Sequence, residues 1–214
     1  MSTVSMLRAA TQAAHHQLDH HPLLRGLVRP GLDLPHYAQA LAALHAPQAA
    51  LEALLASTAR PEEIAQETLF AARTPDLEAD LADLAHLGQA PWPLAATPPP
   101  ASHPAARLGI RYVLEGACLG AAFIGRGLAA RLPEAPRRYF CTPNPARWVH
   151  FQQLLASTCA DDFPSLIASA QASFACYHQH LNACLTLSGC PDGDLDDRQP
   201  APGNPHYGPA GDGR

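Results

Sequence analysis

The chain has 214 residues, 14 basic and 19 acidic, for a net charge of −5, and every basic residue is arginine. That length suggests one domain large enough to bury a core without disulfide or metal staples, and the sparse, mildly acidic charge leaves no basic stripe for nucleic acid. No run of 18 or more apolar residues reads as a membrane span. The N-terminal MSTVSMLRAATQAAHHQLD has no apolar core before a small-residue cleavage site, so a cytoplasmic protein is expected.

Alanine and leucine dominate, both good helix formers, and no segment alternates with period two. The first helix is expected over about 4–20. A second spans about 35–58, with Pro35 in its first turn and Pro47 as a kink. A third runs over about 61–73, with Glu62 and Glu63 at the positive end of its dipole. A fourth follows Thr74-Pro75-Asp76 and ends near Gly88. Six prolines between Pro91 and Pro104 read as a stiff connection. The fifth helix covers about 104–131, the sixth starts near Asn144-Pro145, and the seventh covers about 162–187. The Gly/Pro/Asp-rich end from 189 to 214 cannot bury a core and is expected to be disordered. The expectation is a compact all-α, single-domain helical bundle over 1–188. The six cysteines include no CxxC pair, which argues for free thiols rather than a zinc ribbon.

Two helices carry possible chemistry. On the first, Leu7, Ala10, Ala14 and Leu18 form the apolar stripe, His15 lies at its edge and His16 points away. Asp19 is four residues after His15 on the same face, the arrangement that orients a ligating imidazole through its second nitrogen. Arg8 lies two turns back, about 10 Å along the axis. The same spacing also fits an ordinary surface histidine with an acidic neighbour. On the fifth helix, RYVLEGACLGAAFIGRG places Gly116 and Gly120 on one face, widened by Ala117, Ala121 and Gly125. Each glycine costs roughly 1 kcal/mol against alanine in a helix interior. That low surface serves either a closely packed helix or a flat ligand.

Taken together, Leu7-Arg8 through His15 and Asp19, and Tyr112-Val113-Leu114-Glu115-Gly116-Ala117-Cys118-Leu119-Gly120, resemble the proximal and distal helices of heme oxygenase. The resemblance is strongest to bacterial biliverdin-producing enzymes that supply bilin to phytochromes. Weaker matches, among them Tyr37, Arg73-Thr74-Pro75-Asp76-Leu77 and AQASFACYHQHL around Phe174, extend it over about 5–185. The resemblance implies heme sandwiched between two helices, serving as cofactor and substrate, with O2 as oxidant. His15 takes the iron-ligand role, Asp19 orients it, and Arg8 faces a propionate. Gly116 and Gly120 let the distal helix approach the heme and hold the oxygen side. Arg111, Tyr112, Ala117, Cys118 and Phe174 are implied heme neighbours, with Arg147, Arg111 and Tyr112 as candidates for a second propionate anchor. The products are biliverdin, CO and ferrous iron. The electrons come from a ferredoxin or reductase, since no nucleotide-binding GxGxxG is present. Two departures stand out: Ala117 replaces a small hydroxyl residue, and Cys118 stands where a polar side chain can occur. They motivate a second reading, a non-catalytic heme carrier or sensor on the same scaffold. A third, a thiaminase-like hydrolase or a di-iron oxidase, lacks a selected cysteine and the paired Glu-x-x-His spacing.

Overall fold

A computed structural model describes residues 2–58, 71–87, 92, 94–141 and 145–188. Among these, every regular element is helical. Most of the expected third helix and all of the tail lie outside the described residues. The three described residues at that helix's end, 71–73, are irregular rather than helical, and Arg73 caps the next element.

Helix α1 spans Thr3–Asp19 and starts on Ser2, whose hydroxyl accepts from the Ser5 amide at 3.2 Å. It buries Leu7 and Thr11 and leaves His16 exposed. A short α2 (Pro22–Arg25) runs into a 3-10 turn, and Gly31, at φ 83°, turns the chain toward α3. Helix α3 (Leu34–Ser57) begins where Asp33 accepts from the His36 amide at 2.9 Å, and it runs on through Pro47. It is the most buried helix of the first half, with Tyr37, Leu41 and Leu51 fully enclosed.

Helix α4 (Thr74–Asp83) carries Asp80, whose completely buried carboxylate accepts from the Arg138 amide at 3.1 Å and the Tyr139 amide at 3.0 Å. A side chain from one helix thereby caps the start of another, α6 (Arg138–Cys141), satisfying amides that have no partner within a four-residue helix.

Helix α5 (Pro104–Arg131) follows the proline-rich connection. Its 28 residues make it the longest described element, about 42 Å at 1.5 Å per residue. By length and composition it could cross a membrane. In this fold it is the central strut, packed most extensively on α8 (Phe163–Ser188) and also on α7 (Pro145–Ala156). Two of its glycines explain the close approach. A Cβ on Gly109 would stand 2.3 Å from the Leu166 carbonyl oxygen, and one on Gly125 would stand 2.5 Å from that of Phe140. Buried Glu115 on α5 takes Arg111 at 3.4 Å from its own helix and Arg147 at 3.2 Å from α7, locking the two helices together.

Candidate functional site

Helices α1 and α5 pack mainly on α8 rather than on each other. Between them lies a cavity of about 260 Å3, lined largely by apolar side chains. Its α1 wall carries Arg8, His15, Leu18 and Asp19. Its α5 wall carries Tyr112, Gly116, Ala117, Gly120 and Ala121.

The imidazole is held from both sides. His15 Nδ1 pairs with Asp19 Oδ2 at 2.9 Å, and the edge of Phe174 from α8 meets the His15 ring at 5.9 Å between centroids. With Nδ1 on the carboxylate, Nε2 is the ring nitrogen that could serve as a ligand. His16, one residue on, stacks instead on His20 at 4.0 Å and does not line the cavity.

The opposite wall is low in its middle, at Gly116, Ala117, Gly120 and Ala121, between larger side chains such as Tyr112 and Phe123. A Cβ placed on Gly116 or Gly120 would meet nothing within 4 Å, in contrast to Gly109 and Gly125. Four of the five glycines of α5 therefore divide into two kinds, while Gly127 faces the Arg131 side chain. Those near its ends admit another backbone, and those in its middle leave space in the cavity. Gly125, expected with the second kind, belongs to the first. Four residues advance a helix by about 40° beyond one full turn, so positions 112, 116 and 120 stay on one face. Tyr112 is buried there, with its ring 6.2 Å from that of Trp148, which also lines the cavity.

Two expected heme neighbours sit behind this wall rather than in it. Position 118 is rotated about 200° from 116, and the Cys118 thiol donates to the Leu114 carbonyl at 3.3 Å. Burial pushes that thiol up from its ordinary value, so it stays protonated. Arg111 points to Glu115 and lies 5.3 Å over the Phe151 ring. Arg147 is likewise engaged by Glu115. Neither Arg111, Arg147 nor Cys118 lines the cavity.

The sequence reading did not place Arg73, Tyr139 or Tyr177 in the cavity wall, yet all three line it. They belong to a buried polar cluster. Both phenols donate to Gln48 Oε1, Tyr139 at 3.0 Å and Tyr177 at 2.6 Å. Burial raises both, keeping the hydroxyls as donors. Gln48 in turn donates to Glu52 at 2.6 Å, and Glu52 also accepts from the backbone amides of Arg73 and Thr74. One sequence signal was present: Tyr177 follows Phe174 by three residues and so shares its face.

The pieces define a class: an all-helical bundle split by an apolar cleft, with one carboxylate-oriented imidazole on one wall and open space over two glycines on the other. The open space over the two glycines suits a flat ligand. The description "Heme oxygenase" belongs to the family model that matches residues 1–183, and the chain belongs to that family. A heme oxygenase of Xanthomonas campestris pv. campestris (strain 8004) is 42% identical over 120 residues, spanning 51% of this chain and 66% of that protein. Among solved structures, the NO- and CO-bound heme oxygenase of Neisseria meningitidis superposes with a TM-score of 0.65 at 22% identity, over 94% of this chain and 97% of that one. Heme oxygenase from Leptospira interrogans gives 0.64 at 15%, over 86% and 100%. Heme oxygenase-1 of Synechocystis in complex with heme gives 0.61 at 13%, over 88% and 96%. At these identities the three structures speak for the fold, which is the expected all-α bundle.

Proposed function

We propose that this chain is a heme oxygenase, cleaving heme with O2 and external electrons to biliverdin, CO and ferrous iron. The observation that carries the proposal is the open space over Gly116 and Gly120 in the middle of an otherwise closely packed helix. Each glycine gives up helix stability, and in the cavity that loss is offset only when a flat ligand lies against the backbone.

Each side-chain role follows from its position in the wall. His15 would hold the iron through Nε2, with Asp19 keeping the proton on Nδ1 and the ring turned to the cavity. Phe174 fixes the edge of that imidazole. Arg8, the exposed cation of the α1 wall, and Tyr112 of the α5 wall would take the ligand's carboxylates. Gly116 and Gly120 permit close approach of α5, and Ala117 adds no bulk. The apolar remainder excludes water, which strengthens every polar contact inside. Bound heme supplies the iron that activates oxygen and the porphyrin that is consumed. Arg111 and Cys118 act at a distance, by positioning α5.

The electrons come from a separate ferredoxin or reductase in the cytoplasm. The Tyr112-Val113-Leu114-Glu115-Gly116 form extends the proposal to supply of bilin to a phytochrome. The test is a hemin titration followed by ascorbate or a ferredoxin system in air, read by absorption. Decay of the Soret band into a broad red band supports turnover. A persistent Soret band reduces the protein to a heme carrier, and no binding overturns the reading.

A further inference from the structure

The end of α1 carries a second pair of imidazoles, which the heme roles leave unused. His16 and His20 lie four residues apart and so share one face of the helix. Both are exposed, and their rings stack at 4.0 Å between centroids, 20° from parallel. This face is not that of the expected iron ligand. His15 turns to Asp19 and Phe174, whereas His16 stays out of the cavity. His20 belongs to both surroundings: it caps α1, is exposed, and also lines the cavity. The pair therefore stands where the cavity opens to solvent.

Two features suit the pair to a metal ion. The first is orientation. His20 Nδ1 donates to the His16 carbonyl at 2.9 Å, because a carbonyl only accepts. The lone pair then lies on Nε2, in a tautomer fixed by a backbone acceptor, as it is in ligating histidines. The His16 ring makes no hydrogen bond among the described residues. The second feature is spacing. Imidazole nitrogen binds zinc at about 2.0–2.1 Å, so two nitrogens on one ion stand at most about 4.2 Å apart. Rings 4.0 Å apart and nearly parallel need little side-chain rotation to meet that span. Among the described residues no third histidine, cysteine or carboxylate completes a cage. Water fills the remaining positions on such an ion, which makes the site open and exchanging, unlike a closed structural site.

We infer that His16 and His20 form a two-imidazole site for a divalent first-row transition ion at the mouth of the cavity. Imidazole suits zinc, copper, nickel and iron alike. The ion that the proposed reaction delivers at this place is ferrous iron, freed beside His15. That role for the site rests on the heme reading, and the site itself does not. A pair of exchanging ligands at the mouth receives the freed ion without trapping it.

The test uses the untagged full chain without heme and nickel chloride, read by titration calorimetry. His16→Ala and His20→Ala are each expected to weaken nickel binding about tenfold or more, because each breaks the chelate. His15→Ala is expected to stay within about threefold of the parent. Both members of the pair are exposed, and His16→Ala raises helix propensity, so the variants keep the fold. Absence of nickel binding by the parent overturns the site, as does parental affinity in His16→Ala or in His20→Ala. A tenfold loss with His15→Ala overturns it too, because nickel then sits on the imidazole paired with Asp19. Ferrous sulfate, added anaerobically in excess because iron ranks below nickel in affinity, is expected to displace nickel from the parent. Failure to displace it overturns the role in iron release. Failure of the parent to bind hemin strikes the heme reading instead and leaves the nickel result standing, which separates the two.

Discussion

At the scale of single residues, one register decides the chemistry. His15 and His16 are adjacent and chemically identical, and only the position of each on α1 separates them. His15→Ala is expected to abolish or shift the Soret band of the hemin complex, whereas His16→Ala leaves it in place. The reverse result would move the ligand by one residue. Asp19→Ala keeps the ligand but frees its tautomer, and hemin affinity is expected to fall about 10–100-fold, the usual effect of losing the group that orients a ligating histidine. Equilibrium titration checks this. The contact of His15 with Asp19 was legible in sequence because a helix converts spacing into direction: four residues bring Asp19 under His15. Arg111 and Cys118 were misplaced for the same geometric reason. The family resemblance suggested the cavity for both, but a step of about 100° per residue turns them away from the face of Tyr112 and Ala117. Arg73 matched the family pattern, but its place in the cavity wall could not be read. Its place depends on how an irregular segment is pinned to Glu52, which no periodicity encodes.

At the scale of elements, α5 gives opposite expectations for glycines of the same helix. Gly109→Ala forces a methyl to within 2.3 Å of the Leu166 carbonyl and 2.9 Å of the Ala170 nitrogen, backbone that cannot move aside cheaply. A loss of about 1–3 kcal/mol is expected. Gly116→Leu meets no such obstacle and improves helix propensity by nearly 1 kcal/mol. The fold should be as stable or more so, while hemin affinity collapses. Urea unfolding and hemin titration on the two variants check both signs. The sequence offered helix packing and ligand contact as rival explanations of these glycines, and the structure uses each at different positions. Glu115 ties α5 to α7, and Glu115→Ala strips Arg111 and Arg147 of the carboxylate they share. The expected cost is about 3–5 kcal/mol, measured in urea.

For the molecule as a whole, twelve histidines raise the question of acid stability. His21 and His180 are buried, and burial lowers both imidazoles from their ordinary value. His178 adds to the effect at His21 against a bond to Asn182, and His45 adds to it at His180. The unfolded chain therefore takes up protons that the native one resists. This stability is present above about pH 6.5 and drains away as pH falls through the lowered native values. Thermal melts should drop between about pH 7 and 5, and His180→Phe should make that decline shallower, since neither ring nitrogen of His180 has a partner to lose. Asp33, held low first by the His36 amide, affects only a more acid range. The all-helical class and the places of α1, α3, α4, α5, α7 and α8 were legible from composition, prolines and apolar period. The short helices were not, because they are made by tertiary capping such as Asp80 on α6 rather than by local propensity.

Helix α5 is gripped near both ends, at Gly109 by α8 and at Gly125 by the Phe140 backbone, with the bare stretch around Gly116 and Gly120 between. Mechanically it is a beam clamped at two supports, braced between them by Glu115 on one side and open on the cavity side. Deflection concentrates at midspan, so this stretch can bow outward to admit a rigid plate while the supports stay still. Amide hydrogen exchange should be fast at 116–120 relative to the two anchored flanks, and loading the plate should damp it.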